Sequence, residues 1–202
     1  MSFLRNHWPD IGIVLAFLIG GWLIFFSSGL SGFQILLWIS FISLLLHEFE
    51  EYRFPGTFPC RFNRVFFKSQ KPDRYPLNTD TSLWVNVFFG WTVYLLAAIL
   101  AEKAMWICII SIMVSVGNII IHVFVFNIKG KTLYNPGMAT SLLLFLPISL
   151  YFFLSIYIYN LTSVRELLVW VPLGFVIAVA LTLGTVQVMK NKHTRYVFSK
   201  TR

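Results

Sequence analysis

Six apolar runs, each near the length that crosses a bilayer, constrain this chain more than any other feature. A membrane-spanning helix needs about 20 mainly apolar residues. Windows at about 11–26, 33–49, 82–101, 104–128, 138–159 and 167–189 meet that need. The stretch between the first two, Ser27-Ser28-Gly29-Leu30-Ser31-Gly32, is small and flexible, as a tight hairpin loop should be. Ser27-Ser28-Gly29 also has the small side chains of a signal-cleavage site. A second apolar run follows directly, so the first is expected to remain as an uncleaved membrane helix. Pro147 predicts a kink in the fifth run.

Composition agrees. Hydrophobic residues make up 57% and charged residues 12%, and the mean hydropathy is +0.75. Soluble domains carry roughly twice that charged fraction. A disordered chain, a water-soluble enzyme and a nucleic-acid-binding module are therefore excluded. The net charge of +8 arises in the segments between the apolar runs. Six spans leave seven flanking segments, and their cations are uneven. One alternate set holds Arg5, then Arg53, Arg61, Arg64, Lys68, Lys71 and Arg74, then Lys129 and Lys131, then Lys190, Lys192, Arg195, Lys200 and Arg202. The other set holds only Lys103 and Arg165. By the positive-inside bias, both termini and the long loop at about 50–81 are expected in the cytoplasm. The basic surplus is then explained by topology and by attraction to anionic lipid headgroups, without nucleic acid.

Within the long loop, Phe62, Val65 and Phe66 recur at helical spacing with Arg61, Arg64 and Lys68 interleaved. This pattern fits a short helix lying on the inner membrane surface. An irregular basic loop fits it equally. Asn78, Thr79 and Asp80 offer caps for the third span. Cys60 lies in the basic loop and Cys108 in an apolar run, a poor pair for a disulfide and too few thiols for a thiolate metal site.

Polar side chains in hydrocarbon are costly and tend to mark a site or an interhelical contact. Here they gather at one depth. His47, Glu48, Glu50 and Glu51 close the second span, Asn86 begins the third, and Asn118, His122 and Asn127 occupy the cytoplasmic half of the fourth. Gln187 lies near the inner end of the sixth, and the outer halves carry little beyond Gln34. Any site is thus expected inside the membrane, opening inward.

On a helix, His47, Glu50 and Glu51 share a face and Glu48 points elsewhere. An imidazole with carboxylates on the next turn is a common source of metal ligands. The plainer reading is that the carboxylates solvate the helix end and pair with Arg53. Carboxylates are disfavoured at a helix C-terminus, however, so they call for a cationic partner. His122 approaches the same depth from the fourth span. His47, Glu51 and His122 would make a three-ligand site with one open position, as a catalytic metal requires. Zinc, iron and manganese all suit such donors. Glu50 is expected as a fourth ligand or general base, and Asn118 as an orienting group for a ligand or water. A histidine on such a face can equally be an interhelical hydrogen-bonder. In Tyr134-Asn135-Pro136-Gly137, Asn135 reads as an N-cap with Pro136 at the first helical position. That helix start could also receive an anion, with Tyr134 as a further donor.

His47-x-x-Glu50-Glu51, a later intramembrane His122, and Tyr134-x-Pro136-Gly137, in this order, resemble the HXXEE-motif family of integral membrane proteins. The resemblance runs from the second span through the fifth. It implies a multi-span, mainly bacterial membrane protein, hence a bacterial inner membrane here, with residues suited to enzymatic or metal chemistry. It names no substrate. A looser similarity to the glutamate-type intramembrane proteases of the CAAX-processing kind is limited to ingredients. Glu50-Glu51-x-Arg53 is not the EExxxR spacing, and Asn118-x-x-x-His122 reverses the His-x-x-x-Asn order.

The expected fold is all-α: one polytopic membrane helix bundle over 1–202, of about six transmembrane helices. The expected function is a membrane-embedded enzyme. It would use a divalent metal on His47, Glu51 and His122, with Glu50, Tyr134 and Asn118 in attendance, on a lipid-like substrate. Glu–His acid–base chemistry without metal is the variant. A cation or proton transporter using the same cluster, and a non-catalytic membrane subunit, are the alternatives.

Overall fold

The computed structural model describes residues 2–199. Those residues form helices and connecting segments, without strands. The helices are α1 (Ser2–Phe26), α2 (Gly32–Tyr52), α3 (Phe58–Phe67), α4 (79–100), α5 (105–130), α6 (Met138–Tyr159) and α7 (Val164–Met189). Lys200 and Arg202, counted in the charge asymmetry, lie outside the described residues.

Five helical runs are long and apolar enough to cross a membrane, and the longest, Thr79–Gly130, has 52 residues. Drawn straight it would extend about 78 Å, against a hydrocarbon core of about 30 Å. It instead turns back at Ala101, whose φ of +44° lies in the left-handed region. The reversal brings the hydroxyls of Tyr94 and Ser115 to 2.6 Å. The run is therefore two antiparallel helices, α4 and α5, so six helices have the length and apolar character to cross, as the hydropathy windows imply.

Local chemistry explains most boundaries. The Ser31 hydroxyl accepts from the Gln34 N–H and caps α2. Asn78 accepts from the N–H groups of Asp80 and Thr81 and caps α4, as its position in sequence suggests. Ser163 and Glu166 form a reciprocal capping box at the start of α7. Pro147 does not interrupt α6. The helix widens to π-type winding at Ser141–Phe145, directly ahead of it, where the ring would otherwise crowd the preceding turn.

Three expectations are corrected. α1 begins at Ser2 rather than near residue 11, because its polar first turns find partners. Arg5 pairs with Asp80 at 2.9 Å, and Arg53 clasps Asp10 with contacts of 2.5 and 2.7 Å. The second contact also removes Arg53 as a partner for the α2 glutamates. α3 is a helix, but its apolar face packs onto the bundle as well: Phe58 and Phe66 meet Phe126 of α5. Finally, α6 starts at Met138 behind Gly137, so neither Asn135 nor Pro136 serves as its cap or first turn.

The first turns of α1 and the last described residues lie at the same end of the bundle as α3. The Arg5 guanidinium stacks 4.0 Å from the Tyr196 ring, and Phe198 packs beside Tyr52. Both cysteines are free thiols, and burial pushes the Cys60 thiol up. At the far end, a dense apolar core joins α2, α4, α5 and α6 around Leu37, Ala98, Cys108, Ile109, Ile112 and Phe152.

Candidate metal centre

The last two turns of α2 carry His47 and Glu51 on one face, and α5 brings His122 against them. All three are at least nine-tenths buried. Glu51 Oε1 lies 3.6 Å from His47 Nε2 and 3.1 Å from His122 Nε2. The three donor atoms all fall within 4.8 Å of one another. In a tetrahedral site with bonds of about 2.0–2.1 Å, neighbouring donors stand roughly 3.3 Å apart. The two measured separations bracket that value.

The hydrogen bonds behind the rings decide which nitrogens carry protons. Asn135 Oδ1, which can only accept, sits 2.6 Å from His122 Nδ1. Its orientation is fixed because the Asn135 amide nitrogen donates to the His122 carbonyl and to Asn127 Oδ1. His122 is thus protonated at Nδ1. His47 Nδ1 lies 2.8 Å from the Thr140 hydroxyl, and that hydroxyl donates to Glu50 Oε2 at 2.6 Å. Its oxygen is left to accept from His47 Nδ1–H. In the neutral rings both Nε2 atoms then present lone pairs, and both face a carboxylate oxygen. Three electron-rich atoms at this range repel unless a cation or a proton lies among them. Each ring is also wedged by a phenylalanine: His47 by Phe145 at 4.7 Å and His122 by Phe58 at 4.8 Å between centroids.

Glu50, one residue before Glu51, turns to α6 and does different work. Its Oε1 accepts from the Tyr134 hydroxyl at 2.9 Å and the Ala139 N–H at 3.2 Å. Its Oε2 accepts from the Thr140 N–H at 2.8 Å as well as from the Thr140 hydroxyl. A carboxylate offers about four lone-pair sites, and all are used. Glu50 is the anion seated on the first free N–H groups of α6. It therefore has no lone pair free for the ligand or base role expected of it. The N-terminus expected to take an outside anion is filled from within. Tyr134 serves Glu50, and burial together with that carboxylate pushes its phenol up to about 12.

Gly137 completes the Tyr-x-Pro-Gly segment. Its φ is +100°, and an added Cβ would fall 2.4 Å from His122 Cε1. Only glycine gives both that backbone and that room. Three positions of the segment thus answer to the centre: Tyr134 to Glu50, Asn135 to His122, Gly137 to the space His122 fills.

Glu48 points away from the trio, as the helical spacing predicts. Its Oε2 accepts from Trp91 Nε1 at 2.7 Å, while Oε1 has no hydrogen-bond partner among the described residues. Glu48, His47 and Glu51 line a cavity of about 190 Å³ between α2, α4, α5 and α7, whose remaining walls are mainly apolar. Three stretches of π-type winding, Trp84–Trp91, Ile120–Val125 and Ala180–Gly184, contribute to its wall. Such stretches often lie beside functional sites. Phe175, Val179 and Leu183, at i, i+4 and i+8 of α7, line the cavity and are also 37–39% exposed. On the α7 side the cavity is therefore not closed by fully buried side chains.

Asn118 lines this cavity, and among the described residues no hydrogen bond joins it to His122. The looser winding begins at Ile120, between the two, and shifts their phase. The amide that holds the imidazole is instead Asn135, read from sequence only as a cap. Thr140, Trp91 and Phe58 were not legible as neighbours of the centre, since each comes from another helix with no spacing relation to α2.

A family model described as a protein of unknown function with HXXEE motif matches residues 38–152. That stretch is more than half of the chain and holds every residue of the centre. No curated protein matches, and no solved structure matches.

Proposed function

As the chain belongs to the HXXEE family, whose function is unknown, we propose that the motif builds a divalent-metal site in a membrane-embedded enzyme. The observation that carries this reading is the convergence of His47 Nε2, His122 Nε2 and Glu51 Oε1, with both imidazole protons held on the far nitrogens. Three protein ligands leave a position open for water, the arrangement of catalytic sites. Zinc, iron and manganese are the ions the donor set suits. Such a metal would supply an activated water for attack on a lipid or lipidated substrate.

The chain's own residues do the rest. Asn135 and Thr140 fix the tautomers and aim the rings. Glu50, seated on α6, ties α2 to the helix that carries Thr140. The apolar cavity beside His47 and Glu51 excludes bulk water and favours a lipid-like substrate over a sugar or nucleotide. Because the centre lies at the end that bears the termini and most cations, the positive-inside bias assigns it to the cytoplasmic side of a cell membrane, with N- and C-termini cytoplasmic. A transporter would need polar groups free to pass charge to the far face. There, Gln34 donates to the carbonyls of Ala98 and Ile99, and Glu102 accepts from Ser31.

Purification in mild detergent without an affinity metal, followed by elemental mass spectrometry, tests the reading. Near-stoichiometric zinc, iron or manganese is expected in the parent, and none in a folded His47→Ala/His122→Ala variant. The same metal content in both, or none in the parent after supplementation, rejects it.

A further inference from the structure

The cavity holds one feature that the trio of ligands does not use. Glu48 is 1% exposed, and half of its carboxyl group is unpaired. Leaving a buried acceptor unsatisfied is costly. The Trp91 indole holds Oε2 and so fixes the group, leaving Oε1 buried and unpaired beside Gly90, which also lines the cavity. A Cβ on Gly90 would stand 3.7 Å from that oxygen, so the wall is recessed beside it.

The remaining surroundings are apolar, and they narrow what fits. A void of about 190 Å³ is comparable to the roughly 150 Å³ apolar cavities that take a benzene-sized guest. It admits part of one hydrocarbon chain with a small head and does not admit a two-chain phospholipid whole. Entry is constrained as well. The row Phe175, Val179 and Leu183 is at once cavity lining and outer surface, so a chain can pass from the hydrocarbon phase sideways without crossing water. Inside, its polar end would meet the acceptor at Glu48 next to His47 and Glu51.

We propose that this cavity takes, from the α7 side, a single-chain amphiphile whose polar end donates a hydrogen bond to Glu48 Oε1. This rests on the enzyme reading above for its meaning, and names the substrate class: a lipid with a hydroxyl or amine head, positioned beside the metal ligands. Glu48 is a binding residue in this account.

The test is equilibrium binding of two probes to the full chain in detergent: hexadecan-1-ol, and its methyl ether, which has the same chain and no donor. The parent should bind the alcohol saturably and at least about tenfold more tightly than the ether, one hydrogen bond to a buried acceptor being worth about that ratio. In Glu48→Gln, the amide oxygen keeps the Trp91 contact and the NH2 faces the cavity, so the preference should vanish or invert. Val179→Trp should weaken both probes alike by narrowing the α7 side. Equal binding of alcohol and ether by the parent, no saturable binding of either, or an unchanged preference in Glu48→Gln overturns the proposal. Metal content is measured on the same samples. No preference in the parent with its metal intact defeats this inference alone, whereas absence of metal from a parent that keeps the preference defeats the enzyme reading alone.

Discussion

At the far end of the bundle, small and apolar side chains fill the space between helices. Ala97, Ala98 and Ala101 of the α4 end lie against Cys108 of α5, and close approach of backbones supplies dispersion contacts. The polar groups there act locally, as caps: Gln34 on the last carbonyls of α4, Glu102 on Ser31. The site end is built the other way. Its packing is interrupted by a cavity and three loosened helical stretches. What ties α2, α5 and α6 together there is a pair of hydrogen-bond chains, Tyr134–Glu50–Thr140–His47 on one side and Asn127–Asn135–His122 on the other, whose imidazoles meet at Glu51. The far end can lose a bond without changing shape. The site end positions its donors through bonds that each depend on the next, so small changes there should reach the proposed metal site.

The largest effect is expected at Gly137. An alanine would combine a strained left-handed φ with a Cβ 2.4 Å from the His122 ring, and the ring must move. Gly137→Ala should lower metal affinity by more than about a hundredfold, since one of three ligands is displaced. Its melting temperature in detergent should also fall. Competition with a metallochromic chelator reads the first and a thermal melt the second. Metal affinity equal to the parent's would break the contrast between the two ends.

Asn135 comes next. Asn135→Leu removes the acceptor from His122 Nδ1–H and both amide donors, and second-sphere losses of this kind cost about ten- to a hundredfold in metal affinity. Asn135→Asp restores the acceptor and, being anionic, raises the basicity of the ring. It should recover most of the affinity while the melting temperature stays lowered, because the donors to the His122 carbonyl and Asn127 are still missing. Equal affinities for the two variants would mean that orientation by the acceptor is not what holds His122.

The same contrast accounts for what could be read in advance. Six spans, the cap at Asn78 and the pairing of His47 with Glu51 follow from periodicities within one segment, and those are visible in a sequence. His122 was legible because a histidine in hydrocarbon is costly wherever it lies. By comparison, Glu50 shares the His47 face with Glu51 in sequence and reads as a fourth ligand or general base. They differ only in which neighbour faces them, α5 for one and the α6 N-terminus for the other, and that is a property of packing. Asn118 and Asn135 were exchanged for a similar reason: regular winding would keep Asn118 with His122, and the π-type stretch from Ile120 undoes the register. The early start of α1 was hidden because Arg5 and Asp10 read as water-facing until Asp80 and Arg53 are placed beside them.

The smallest effect sharpens the comparison from its other side. Gln34 donates from one amide nitrogen to the carbonyls of Ala98 at 3.1 Å and Ile99 at 3.3 Å, groups that helix α4 leaves without internal partners where it ends. Gln34→Leu keeps the bulk of the side chain and removes the donor. Interhelical hydrogen bonds in membrane proteins average about 0.6 kcal/mol, so the melting temperature should fall by only about a degree or two. Metal affinity should match the parent within about twofold, because Gln34 lies some three turns along α2 from His47 and shares no bond with the network. If Gln34→Leu did reduce metal binding, the turn at Ala101 would have to transmit through α4 and α5 to His122. The far end would then be part of the site's support, not a separate apolar clamp.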